Sequence, residues 1–277
     1  MILSGCTGAL SGGGGRRRSL LTPPLRHAAP LTPIILQPKS STSLAYKAPP
    51  PKASVQKSKA KALTRNADGD WCFADEPGFR PNLAPYEVLQ MGGFGGTYFR
   101  PIEAHVTQSK LKSSEVLTEY PKEWWAPMGK SNMKHMLATT AYDQTVNTYG
   151  VKCGGDLYMW ESSGWINAID PYGAFQWYCR FFLGRRCSDD ARQISRFNKC
   201  MGPTGRWRST LCGKINNANT AFDSRNVSPV IRQTLQHWGY RLTEKHYVAH
   251  CKKKGLTPQL VGRGAVSSSS SYEEDSD

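Results

Sequence analysis

The first 67 residues contain neither aspartate nor glutamate, and the first acid in the chain is Asp68. A segment with no acids cannot neutralise its own eleven basic residues, so it carries its charge uncompensated. Its Gly12–Gly15 run and its proline pairs at Pro23–Pro24 and Pro49–Pro51 exclude long regular helices there. No run of 18 apolar residues occurs anywhere, which excludes an ordinary membrane-spanning helix. The eight cysteines form no CxxC pair, so neither a zinc-ribbon framework nor a thioredoxin-like redox motif is present, and mostly reduced thiols are expected. GxGxxG and HExxH are also missing, no GK[ST] directly follows the Gly92–Gly96 cluster, and no internal repeat occurs.

What remains is a basic chain of 277 residues with a formal charge of +15. The imbalance is concentrated at the start, because beyond residue 67 there are 25 basic residues against 21 acidic ones. Arginine, serine and a lack of acids together make the composition of an organelle transit peptide, and Arg16–Leu36 fits it best. The alternative is a retained basic arm, with Lys52–Arg65 holding nucleic-acid phosphates or acting as a nuclear address. Three segments are therefore expected. Residues 1–67 form a disordered transit peptide or arm, 68–263 a globular helical domain, and 264–277 a disordered acidic, serine-rich tail. All eight tryptophans fall in the middle segment, which is long enough to bury a core.

Helix signals outnumber strand signals within that segment. Helices are expected over Asn82–Gln90, Ser113–Tyr120, Asp156–Ser163, Pro171–Leu183 capped by Asp170, and Ala191–Cys200 capped by Ser188. A short amphipathic segment carries Trp207, Leu211 and Ile215; Pro229–Trp238 follows a Ser-Pro start; a last helix is capped by Thr243. Strand candidates are Gly96–Ile102 and Tyr149–Cys153. The fold class expected is mainly α: an irregular single helical domain with at most a small β element, preceded by a disordered N-terminal extension.

The densest chemistry lies in Asp170–Arg208, where 39 residues hold eight aromatics and seven arginines. Guanidinium planes and aromatic faces hold phosphates and bases, but they also build a tight core with a charged rim. The sites expected for nucleic acid are Arg185, Arg186, Arg192, Arg196, Arg206 and Arg208, with Trp207 as a base-stacking ring and Lys252, Lys253 and Lys254 as a second patch. Pro229–Trp238 and Glu244–Lys254, joined by a turn containing Gly239, have helix-turn-helix proportions.

The remaining motifs are incomplete. Gly92-Gly93-Phe94-Gly95-Gly96 reads as a tight turn that permits close packing rather than a phosphate loop. His246, His250 and Cys251 share a helix but lack a second ligand pair, so no metal ligands are assigned. Asp189 and Asp190 are explained as first-turn carboxylates, and Cys187 as a structural thiol. No catalytic residue and no cofactor is assigned. The DPYG-FQWYCRF-LGRR-DD-RQI block and the SPVIRQTLQHWGY segment resemble segments of eukaryotic proteins of fungi and algae, across most of Pro81–Thr243; the resemblance implies neither function nor site.

The expectation is a nucleic-acid-binding protein, for RNA or DNA, in a plastid or mitochondrion, with the nucleus as the alternative location. Two other readings stand beside it: a structural or assembly subunit with a protein partner, and an enzyme acting on an anionic substrate.

Overall fold

The computed structural model describes residues 63–260, so the acid-free segment up to residue 62 and the serine-rich acidic tail lie outside the described residues. The architecture is mainly α. Among the described residues, the only sheets are two antiparallel ribbons, Thr64–Arg65 (β1) with Trp71–Cys72 (β2) and Ile102–Ala104 (β3) with Ser109–Leu111 (β4). The first ribbon begins ahead of Asp68. Arg65 is therefore part of the fold: it holds the Glu87 carboxylate and lies over Trp71, 4.3 Å from its ring centre.

The helix Ala174–Phe182 (α5) forms the axis of the core. Phe175, Trp177, Tyr178, Cys179 and Phe181 are all buried, as a helix apolar on nearly every side must be. Phe79 is the hub of the ring packing, in contact with Phe73, Trp177, Tyr178, Phe181 and Phe197 at centroid distances between 4.9 and 5.7 Å. Around this axis lie Asp190–Met201 (α6) and Arg206–Ala218 (α7), with Pro229–His237 (α8) and Glu244–Lys254 (α9) both packed on α7.

The starts of α5 and α6 differ from the sequence reading. Asp170 caps nothing. It accepts hydrogen bonds from Arg180 and from both terminal nitrogens of Arg185 (2.7–2.9 Å), and a carboxylate held this way is not free for the helix N-terminus. The helix begins later, after Gly173 at φ 88°, where the Gln176 side chain accepts the Tyr172 N–H and Tyr98 Oη accepts the Gln176 N–H. At α6, Ser188 stays exposed and the helix follows Asp189. Asp190 instead accepts the Trp177 indole N–H and the Cys187 N–H.

The Thr243 cap stands as expected, whereas Ser228, ahead of Pro229, makes no side-chain cap hydrogen bond. Asp156 accepts the Met159 N–H at the start of Leu157–Ser162 (α4), and Thr243 accepts the His246 N–H at the start of α9. Neither strand candidate forms as written: β3 begins only at Ile102, and Tyr149–Cys153 is irregular. One helix that carries no strong sequence signal, Lys130–Leu137, packs beside the glycine-rich turn.

Replacing Asp170, which is 1% exposed, strands two guanidinium groups without their shared anion. Asp170→Ala is expected to destabilise the fold by about 3–5 kcal/mol, read as a lower urea midpoint with an unchanged denaturant slope. A loss below about 1 kcal/mol contradicts a structural role for this carboxylate.

Candidate ligand-binding cleft

The Gly92–Gly96 turn positions the site. A Cβ at Gly92 would lie 2.0 Å from Val146 O, one at Gly95 2.6 Å from the Tyr142 ring, and one at Gly96 2.1 Å from His135 O, so neighbouring chain approaches too closely for any side chain. The turn's polar groups are already committed. Asn147 Oδ1 accepts the Gly95 N–H, His237 Nε2 accepts the Phe94 N–H, and the Gln236 amide donates to Gly92 O. No fan of free N–H groups remains to cradle a phosphate; this is a packing turn.

Phe94, the one side chain in the turn, is held at φ 55°, a left-handed conformation that is strained for a bulky residue. The surrounding bonds hold it there and stack its ring on His237, with centroids 3.9 Å apart and planes 14° apart. Phe94 forms part of the wall of a cleft with two halves. The apolar half, about 230 Å³, is walled by rings from Phe79, Tyr98, Trp160, Trp165, Phe175 and Trp238, among others. The polar half, about 380 Å³, carries Thr97, Arg100, Tyr142, Lys152 and Asp156. Phe94, Tyr98, Gly154, Gly155 and Trp160 line both halves. One side is formed by α4, a helix with no buried residue that exposes Tyr158 and Met159, with Trp165 exposed just beyond it.

Three of the six phenol and indole groups in the apolar half are used inside the protein. Tyr98 Oη donates to Tyr172 O, Tyr178 Oη to Leu83 O, and Trp177 Nε1 to Asp190. The charged residue on this wall is Arg196. It lies 5.2 Å from the Trp238 ring centre and 5.9 Å from that of Trp165, donates to Gln193 Oε1, and makes no ion pair among the described residues. Burial, reinforced by the neighbouring Arg192 guanidinium, pulls its pKa below the ordinary arginine value. It is a half-buried cation in need of an anion.

The other expected phosphate ligands are mostly occupied. Arg185 is held by Asp170 and Arg186 by Asp75, the latter over the Phe181 ring at 3.7 Å. Arg192 is paired with Asp189. Arg208 is buried, bonded to His246 O and set against Tyr240. Trp207 is half-buried against the core with Arg206 over its ring at 4.8 Å. Arg206 itself is exposed, as are Lys252, Lys253 and Lys254 at the end of α9. The ten residues thus do not assemble into one surface strip.

Asp189 and Cys187 are tied into the fold. Asp189 accepts from Arg192 and Gln193; burial alone would raise its pKa, but these bonds outweigh burial and hold the carboxyl below its usual range. Burial, with help from Asp190, pushes the Cys187 thiol up to about 11, which leaves it protonated and unreactive at neutral pH. His237 lies in the cleft. Sequence reasoning missed this site because its walls come from segments as far apart as Phe79 and Trp238; the one local signal was a phenylalanine between two pairs of glycines.

No protein-family model, no curated protein and no solved structure matches this chain.

Burial pushes the His237 imidazole from an ordinary value of 6.5 down to about 3, so the folded protein favours its neutral form. A group with a depressed folded pKa stabilises fully above its unfolded value and loses that contribution as pH falls toward the folded one. Between pH 7 and pH 5, wild type is expected to lose about 2 kcal/mol more than His237→Asn, measured by urea denaturation. Parallel pH curves for the two proteins would contradict this burial.

Proposed function

We propose that this is a non-catalytic binding protein whose cleft takes an amphipathic organic anion: an apolar, ring-bearing body carrying one acidic group. Arg196 carries the reading, as a half-buried guanidinium with no carboxylate partner on an otherwise aromatic wall. Flat rings of the ligand stack on Phe94, Trp160 and Trp238, and its acid meets Arg196 in a site partly shielded from water, where a charge-assisted hydrogen bond is strongest. Arg100 and Lys152 in the polar half favour the same sign of charge at the entrance.

The matched probes are 1-anilinonaphthalene-8-sulfonate and the uncharged N-phenyl-1-naphthylamine. The full chain is expected to bind the sulfonate saturably at one equivalent, and Arg196→Gln to weaken it about tenfold or more while barely changing affinity for the neutral amine, since tenfold corresponds to about 1.4 kcal/mol. Non-saturable binding, or equal losses for both probes, rejects the reading.

A second reading is supported by the exposed Lys252, Lys253, Lys254 and Arg206, together with the acid-free first 67 residues: contact with RNA or DNA phosphates. If it holds, replacing the three lysines with alanine lowers the slope of log affinity against log salt by about 3. An unchanged slope removes these lysines from the contact. An organelle address in the same acid-free segment is part of this reading, and the N-terminal residue of the mature protein decides between address and arm.

A further inference from the structure

Asp68, Asp70 and His246 converge where the β1–β2 turn meets the first turn of α9, and none of the three lines the cleft. One donor atom from each lies within 4.8 Å of the other two. The turn holds both carboxylates in place, because Asn66 Oδ1 accepts the N–H groups of Asp68 and Asp70.

Two observations favour a cation at this cluster. The Asp70 side chain is 9% exposed, and its Oδ1 is buried without a hydrogen-bond partner. Such an oxygen is costly unless a positive group completes it. In addition, Asp70 Oδ2 lies 3.6 Å from His246 Nε2, too far for a hydrogen bond. The other ring nitrogen, Nδ1, is 3.0 Å from Tyr240 Oη, with the two rings nearly parallel at 11°. With Nδ1 engaged by Tyr240, Nε2 is the ring nitrogen that faces the carboxylate oxygen. The 3.6 Å between Nε2 and Oδ2 is close to the roughly 3.3 Å expected between ligands of a tetrahedral ion with bonds of about 2.0–2.1 Å.

We propose that Asp68, Asp70 and His246 form a binding site for a divalent transition metal of the zinc class, which ties the N-terminal hairpin to α9. One imidazole among oxygen donors selects zinc or a neighbouring late first-row ion over calcium or magnesium, and water fills the remaining position. Tyr240 is the outer partner that orients the imidazole. Lys245 is the internal competitor. Its ammonium holds Asp68 by a hydrogen bond and ion pair, and its largely exposed side chain swings away when the metal enters. His250 and Cys251, which share α9 with His246, do not belong to the cluster.

The test uses the full chain without an affinity tag, stripped of metal by chelation, then titrated with Zn²⁺ by calorimetry and with Co²⁺ by visible absorption. One equivalent is expected, with cobalt bands of a four-coordinate site. His246→Gln and Asp70→Asn are expected to weaken binding at least tenfold, and His250→Gln to leave it unchanged. Because substitutions at buried positions can disturb folding, the exposed Lys245→Ala supplies an independent readout: removing the competing ammonium should tighten zinc binding severalfold. Substoichiometric binding by wild type, equal effects of His246→Gln and His250→Gln, or no gain from Lys245→Ala overturns the proposal.

Discussion

Asp170 is almost sealed from water, yet its carboxylate is set against two guanidinium groups, one from within α5 and one from just past its end. A carboxylate in that position is tolerable only while both cations stay in place, and the arginines are tolerable there only while it does. Much of the architecture follows from this mutual requirement. Arg180 also holds Glu119, which ties the segment after α2 (Ser113–Leu117) to α5. Arg185 at the helix end is held over the same anion as the chain turns through Gly184 at φ 91°. The start of α5 is displaced as a consequence, and Gln176 and Tyr98 take over the capping that Asp170 no longer supplies.

The same logic applies to the rest of the arginine-rich block. Arg186 and Arg192 each have an acid within 2.6 Å, and Arg208 lies beneath the surface among carbonyl and ring contacts. A cluster that reads as surplus charge along the chain is largely balanced in three dimensions, because Asp75, Asp170 and Asp189 arrive from separate segments. Arg196, like Arg208, has no ion pair among the described residues, but it is found where aromatic walls leave space rather than where they close. The strained Phe94 lies at the same place, held by the glycines around it and by His237. Strain and an unsatisfied cation meeting at one cleft is the pattern expected of a binding site, since a fold maintains neither without compensation elsewhere.

The N-terminal hairpin adds a different constraint. Thr64 and Arg65 belong to the domain although they stand in the acid-free stretch, because Arg65 reaches Glu87 and the Gly69 and Asn82 carbonyls. The Asn82 side chain in turn donates to Arg241 O and accepts the Arg241 N–H, so the beginning and end of the fold are held together by one side-chain amide on the main chain of Arg241. Asp70 and His246 face each other across that junction.

The mainly α class, the buried aromatic character of Phe175–Phe182, the Thr243 cap, the packing role of the glycine turn and the lack of a membrane-spanning helix among the described residues were all legible in the chain, because each depends on neighbours within a few positions. The cleft, the pairing of the arginines, the true starts of α5 and α6 and the Asp68–Asp70–His246 cluster were not. Each depends on which distant residue arrives opposite: Glu119 against Arg180, Asp75 against Arg186, His237 against Phe94, His246 against Asp70. A side chain's charge and shape are written in sequence, but its partner, and with it whether that charge is neutralised, is decided only when separated segments close on one another.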